Sequence, residues 1–183
     1  WTMAFQNYKP QLSFFEQDWV GFKHFIDLFN EPLFYASLKN TLGMSLLGLI
    51  FGTGAAIIFA LLLNELKFTR FKKVVQTVSY LPHFISWVVV ATIVTKVLAN
   101  TGILNEALMK FNIMSQPINF MSNPNMFWGI VTASDVWKEM GWNAIIYLAA
   151  MTAIDPELYE AAKVDGAGRI RRMFSITLPL IKS

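Results

Sequence analysis

The hydrophobic positions fall into three long blocks separated by short polar or charged segments. Residues 41–63 hold no charge, and about 20 consecutive apolar residues suffice to cross a bilayer core as a helix. Within this block Gly48, Gly52, Ala56 and Ala60 recur every four residues. They predict one smooth face where a second helix backbone approaches closely. The next block, 74–95, is less oily and carries Gln76, Thr77, Ser79, His83, Ser86 and Thr92. Pro82 predicts a kink there, since it removes a backbone donor and clashes with the preceding turn. The last block, 125–153, is interrupted by Asp135, Lys138 and Glu139. As a helix it is about 43 Å long, enough for the bilayer core and one interface. The pattern predicts an all-α, polytopic integral membrane protein with about three transmembrane helices.

Residues 1–40 read differently. Aromatic residues are dense and interspersed with charges, as expected at a membrane–water interface. Apolar positions 22, 25, 26 and 29 have helical spacing. They predict an interfacial helix within 20–30; a small soluble subdomain is the alternative. Lys67, Arg70, Lys72 and Lys73 crowd the 64–73 loop, and Lys163, Arg169, Arg171, Arg172 and Lys182 lie in the 155–183 tail. The positive-inside rule therefore puts 64–73 and 155–183 in the cytoplasm, and 1–40 and 96–123 outside. In 96–123, residues 103–111 predict a short amphipathic helix and 116–125, with Pro117 and Pro124, a loop.

Composition narrows the function classes. Charged residues make up 15% of the chain, against roughly 25% in soluble domains. The net charge of +3 comes from basic residues beside apolar blocks, which argues against nucleic acid as a partner. There is no cysteine, so no disulfide framework and no cysteine-based metal or redox site. A phosphate-cradling Walker A loop is absent, as is any nucleophile paired with a base, so the chain is expected not to be an enzyme. No metal or cofactor site is expected in it. The start at Trp1, with no signal peptide, and the stop after Leu178-Pro179 read as a fragment of a longer protein.

The most informative segment is 155–168. Asp155 suits a helix N-cap, Pro156 the first helical position, and Gly166 the stop. A short cytoplasmic helix follows, with Leu158, Ala161 and Ala162 on one face and Glu160 beside Lys163 on another. Such a helix fits a groove on a soluble partner, and equally an ordinary loop. Glu160-Ala161-Ala162, then Asp165-Gly166-Ala167, then Ile176-x-Leu178-Pro179 resembles the EAA loop of binding-protein-dependent ABC importer permeases, the MetI-like, maltose-type membrane domains. Ala4-Phe5-Gln6-Asn7-Tyr8-Lys9-Pro10, Trp19-Val20-Gly21-Phe22, Asn40-Thr41, Tyr80-Leu81-Pro82 and Trp137-Lys138 resemble its carbohydrate branch, nearest the oligo- and polysaccharide permeases of Gram-positive bacteria.

The resemblance covers essentially the whole chain. It implies a partial permease domain over 41–183 in the bacterial cell membrane, with a cytoplasmic coupling loop at 155–179. It also implies one span before Trp1 and about two after Ser183. Glu160, Ala161, Ala162, Asp165, Gly166 and Ala167 would dock on a cytoplasmic ABC ATPase dimer, which holds the ATP and magnesium. A second permease subunit, as a heterodimer, and an extracellular solute-binding protein would complete an importer for a sugar. A peptide or amino acid as solute, or a secondary transporter, are the rival readings.

Asp135, Lys138 and Glu139 lie within a predicted span, where each ionisable group costs about 2.5–3.5 kcal/mol on insertion scales and so faces a cavity or a partner. Asp135 and Lys138 are spaced for a local salt bridge, and all three for a polar patch along a solute path. The resemblance favours the path, since Asp135, by its spacing to Glu160, matches a sugar-contacting position of the maltose-type permease. His83, after Pro82, reads as a hydrogen-bonded bundle residue rather than a metal ligand.

Overall fold

The computed structural model describes residues 1–181, which form two compact units, Trp1–Ser45 and the chain from Leu46 onward. In the first unit two residues each of β1 (Gln6–Asn7) and β2 (Asp18–Trp19) pair antiparallel, Gln6 opposite Trp19. The hydrophobic pattern did not foresee this pair. Gln17 holds the intervening loop: its Nε2 donates to the Lys9 and Leu12 carbonyls, and its Oε1 accepts from the Lys9 amide. Phe5 packs against the rings of Trp19, Phe22 and Phe25, so the aromatic density builds a small cluster. Lys9 Nζ lies 2.8 Å from the Asp18 carboxylate and holds that carboxyl below its usual range. The predicted interfacial helix is α1 (Lys23–Asn30).

Helical structure then runs from Pro32 to Glu65, well beyond the apolar block, because helix formation does not stop where charge begins. It comprises α2 (Pro32–Leu47), a π-turn over Gly48–Gly52 and α3 (Thr53–Glu65). Many of its apolar side chains, among them Leu49, Phe51, Ile58 and Leu62, are exposed. An apolar surface of this extent is out of place in water. The small-residue face is used unevenly. Ala56 and Ala60 are wholly buried, whereas no atom stands within 4 Å of a Cβ built on Gly52. The extra residue per turn in the π-turn breaks the four-residue register there.

The second block departs from expectation. In place of one kinked helix, α4 (Thr69–Tyr80) continues into a 3₁₀ turn over Leu81–Phe84, and α5 (Trp87–Val97) leaves at 103° to that run. Pro82 leads the 3₁₀ turn, and the bend itself lies in Ile85 and Ser86, which are both extended. The Ser86 hydroxyl then accepts from the Val89 amide and caps α5.

Within α6 (Ile103–Lys110), Asn105 pins the segment on either side of the helix. Its Nδ2 donates to the Ala99 and Ile118 carbonyls, and its Oδ1 accepts from the Ile118 amide. The long α7 (Pro124–Thr152) starts on an Asn123 cap and forms the spine of this unit. Ala60 and Leu61 of α3 meet Ala144 and Met151 of α7 in the core. Gly141 of α7 meets α4 so closely that a Cβ there would lie 2.1 Å from the Ser79 carbonyl oxygen. The chain closes with α8 (Pro156–Val164), α9 (Arg169–Arg172), a π-turn over Met173–Thr177 and α10 (Leu178–Leu180).

Candidate functional site

Two places gather chemistry. The first is α8 and its exit. Asp155 Oδ1 accepts from the Glu157 amide at 2.9 Å, and Pro156 needs no donor in the first turn. At the other end the Gly166 amide bonds to the Lys163 carbonyl and the Ala167 amide to the Ala162 carbonyl. This pair of bonds is a Schellman motif, which requires a left-handed residue at Gly166. Gly166 has φ +76. The chain can therefore turn sharply into Gly168 and α9. Tyr159 Oη lies 2.9 Å from Thr177 Oγ1, so α8 is tied back onto the following π-turn.

Glu160, Ala161, Asp165 and Gly166 are exposed, while Ala162 and Ala167 are half-buried. Ala162, Asp165 and Ala167 also line a shallow cleft of about 200 Å³ with Arg171 and Arg172. The face carries no long side chain at 161 or 162, so a partner surface can approach the helix backbone there.

The second place is the charged stretch of α7, against the break between α4 and α5. Lys138 is 4% exposed. Its Nζ donates to the His83 carbonyl at 2.7 Å and to Glu139 Oε1 at 2.9 Å, and it sits 5.3 Å from the centroid of the Trp87 ring. Glu139 Oε2 lies 2.6 Å from His83 Nδ1. An ionised carboxylate accepts only, and against it the Nδ1 tautomer is the donor. The His83 ring lies flat on Trp142, 4.4 Å between centroids and 2° from parallel.

Asp135 takes no part in this. Its carboxylate makes no hydrogen bond or ion pair among the described residues. It is half-buried and its Oδ2 faces Gly48, 3.8 Å from where a Cβ would stand. The local Asp135–Lys138 salt bridge allowed by the spacing is thus not formed. Lys138 turns to its sequence neighbour Glu139 and to a carbonyl 55 residues away. Sequence reasoning did not bring His83 and Gly141 into this group. The one available signal was a histidine beside a proline in an apolar block.

Residues 35–183 match the family described as binding-protein-dependent transport system inner membrane component. The chain belongs to this family. Among its members, the polygalacturonan/rhamnogalacturonan transport system permease protein YteP of Bacillus subtilis (strain 168) is 50% identical over 183 residues, all of this chain and 56% of the relative. Protein LplB of the same organism is 43% identical over 182 residues, 99% of this chain and 57% of the relative. The chain therefore spans about half the length of the curated relatives it matches. In three dimensions it is similar to a crystal structure of a bacterial ABC transporter involved in the import of the acidic polysaccharide alginate. The TM-score is 0.83 at 43% identity, covering 91% of this chain and 58% of that one. A bacterial alginate ABC transporter in complex with an alginate pentasaccharide-bound periplasmic protein gives a TM-score of 0.82 at 44% identity, covering 88% of this chain and 56% of that one. Membership makes the chain a membrane component and carries the all-α, MetI-like permease fold.

Proposed function

We propose that the chain is part of a permease subunit that forms half of the translocation path for an oligo- or polysaccharide in an ATP-driven importer. The observation that carries this reading is the 50% identity over the full chain to a permease whose name specifies polygalacturonan and rhamnogalacturonan transport. In the working transporter, a second permease subunit completes the path and an extracellular binding protein delivers the sugar. A cytoplasmic ATPase dimer, carrying the ATP and magnesium, docks on Glu160, Ala161, Ala162, Asp165, Gly166 and Ala167. The setting is the cell membrane of a Gram-positive bacterium, in keeping with the Bacillus relatives.

The topology follows from the basic residues. The basic 64–73 segment, which spans the α3–α4 connection and the first turn of α4, and the α8 segment face the cytoplasm, and 96–123 faces outward. Single cysteines at Lys72 and Ser115 of the full-length subunit should label with an impermeant maleimide from opposite sides. Labelling of both from outside overturns this orientation.

Asp135, Lys138 and Glu139 form the polar stretch of α7 nearest the path, and of the three Asp135 presents the acceptor that faces it. A carboxylate without a protein partner inside a span is stable only beside water or a polar ligand, and sugar hydroxyls are donors that suit it. The assembled transporter in proteoliposomes, with loaded binding protein and internal ATP, should take up labelled oligogalacturonate or a neutral galactan oligosaccharide. Asp135→Ala should cut that uptake roughly tenfold while leaving ATPase binding intact, as expected for one lost charge-assisted hydrogen bond. Uptake of a peptide in place of either sugar would move the protein to the rival solute class. Uptake driven by an ion gradient without ATP would make it a secondary transporter.

A further inference from the structure

The α4–α5 break is an unusual thing to find in a span. A helix that ends inside a bilayer leaves carbonyl groups that have no water to bond. Among these His83 lies in the last turn of the run that starts at Thr69. Its carbonyl oxygen accepts from Lys138 Nζ. A cation at this end of a helix also meets the negative end of the helix dipole. Lys138 is thus a cap for a broken helix, supplied by another helix.

The remaining contacts lock that cap. Glu139 binds the Lys138 ammonium with one oxygen and the His83 ring with the other. The His83 ring is fixed against Trp142, and Phe84 packs edge-on to the same indole. On the far side of the bend, Trp87 begins α5 and lies under the ammonium. The last turn before the bend and the first residue after it are therefore both held to one lysine of α7. Each polar group of Lys138 and Glu139 is turned inward to a protein partner. A cleft of about 440 Å³ between α5 and α7, lined by Val94, Val97, Ala133 and Trp137 among others, takes its shape from the direction in which α5 leaves.

We propose that Lys138 and Glu139 are positioning residues, which clip the α4–α5 break onto α7 and set the direction of α5, and that they do not touch the solute. The proposal rests on the transport reading above for its activity readout, and on a cross-link that is independent of any solute.

The test uses the full-length subunit in the assembled transporter, with cysteines at Val94 and Ala133 across the cleft. Lys138→Met leaves Glu139 charged and without its ammonium partner, a defect that by itself can prevent assembly. The double variant Lys138→Met with Glu139→Gln removes the charge imbalance and is the informative one. It should assemble with the ATPase, lose most of the Val94–Ala133 cross-link, and take up oligogalacturonate about tenfold more slowly or worse at an unchanged half-saturating concentration. Restoration of both cross-link and uptake in the double variant would overturn the proposal, because the pair would then only neutralise each other. A raised half-saturating concentration with a normal cross-link would overturn it too, since Lys138 or Glu139 would be touching the sugar. Failure of the double variant to assemble would also overturn it, by making the cluster a requirement for folding. If the unmodified transporter takes up no sugar, the transport reading fails, and the cross-link still decides the clip.

Discussion

Replacing Gly141 with valine will prevent the subunit from accumulating in assembled transporters. A Cβ on Gly141 would stand 2.1 Å from the Ser79 carbonyl oxygen, 2.5 Å from its carbon and 2.9 Å from the Ser79 Cβ. The obstacle is mostly backbone, so no rotamer change relieves it. The two helices must separate by more than an ångström. Overpacking alone costs about 1–3 kcal/mol, occasionally more. Separation would also pull His83 away from Glu139 and Trp142, which lie within a turn of Gly141. Losing that part-buried hydrogen bond costs about 1–3 kcal/mol more. Together these take a large part of the stability of a typical domain, roughly 5–15 kcal/mol. Gly141→Ala should act in the same direction. Gly54→Ala is the control, because nothing lies within 4 Å of its Cβ position. The yield and thermal midpoint of the detergent-extracted complex measure the difference. Equal behaviour of Gly141→Ala and Gly54→Ala would remove the close α4–α7 approach from the account.

The second large effect is expected at the cytoplasmic helix. Gly166 has φ +76 and supplies the left-handed turn of the Schellman motif. A β-branched side chain is penalised there, so Gly166→Val should unwind the exit of α8 and loosen the Tyr159–Thr177 tie. Glu160 is exposed and free of protein partners among the described residues, as a residue reserved for an interface would be. Truncating a paired interfacial charge typically costs about 2–5 kcal/mol, a loss of roughly 30-fold or more in affinity. Glu160→Ala and Gly166→Val should therefore leave the subunit inserted, weaken capture of the ATPase, and abolish sugar-stimulated hydrolysis and uptake. Normal ATPase capture by both variants would detach this helix from coupling.

The α8 helix was legible because all its determinants are local. An N-cap, a proline, and a glycine at the stop act within a dozen residues, and the bonds found are the ones those residue types favour. The long helices were legible for a similar reason, since continuous apolar sequence leaves few alternatives in a bilayer. Their ends were less so. The helix that starts at Pro32 and the paired strands at Gln6 and Trp19 obey hydrogen bonding, which hydropathy does not record.

The charged patch shows where local reading stops. Spacing alone allowed Asp135 to bond Lys138, since both lie on neighbouring turns of one helix. Lys138 went elsewhere because the 3₁₀ turn that follows α4 ends in front of it and presents the His83 carbonyl. Pro82 announced a disturbance, but a proline sets only its own φ and removes one donor. The 103° bend lies in Ile85 and Ser86, which are both extended. His83, just before them, is held by partners on α7 some 55 residues away in the chain. The sequence by itself determined the membrane setting, the number of long apolar blocks and the capped cytoplasmic helix, because short-range hydrogen bonding and hydropathy suffice for these. Only the tertiary structure decided which charges pair, where the broken helix turns, and that Asp135 stays free, because each depends on which other helix comes to lie against α7.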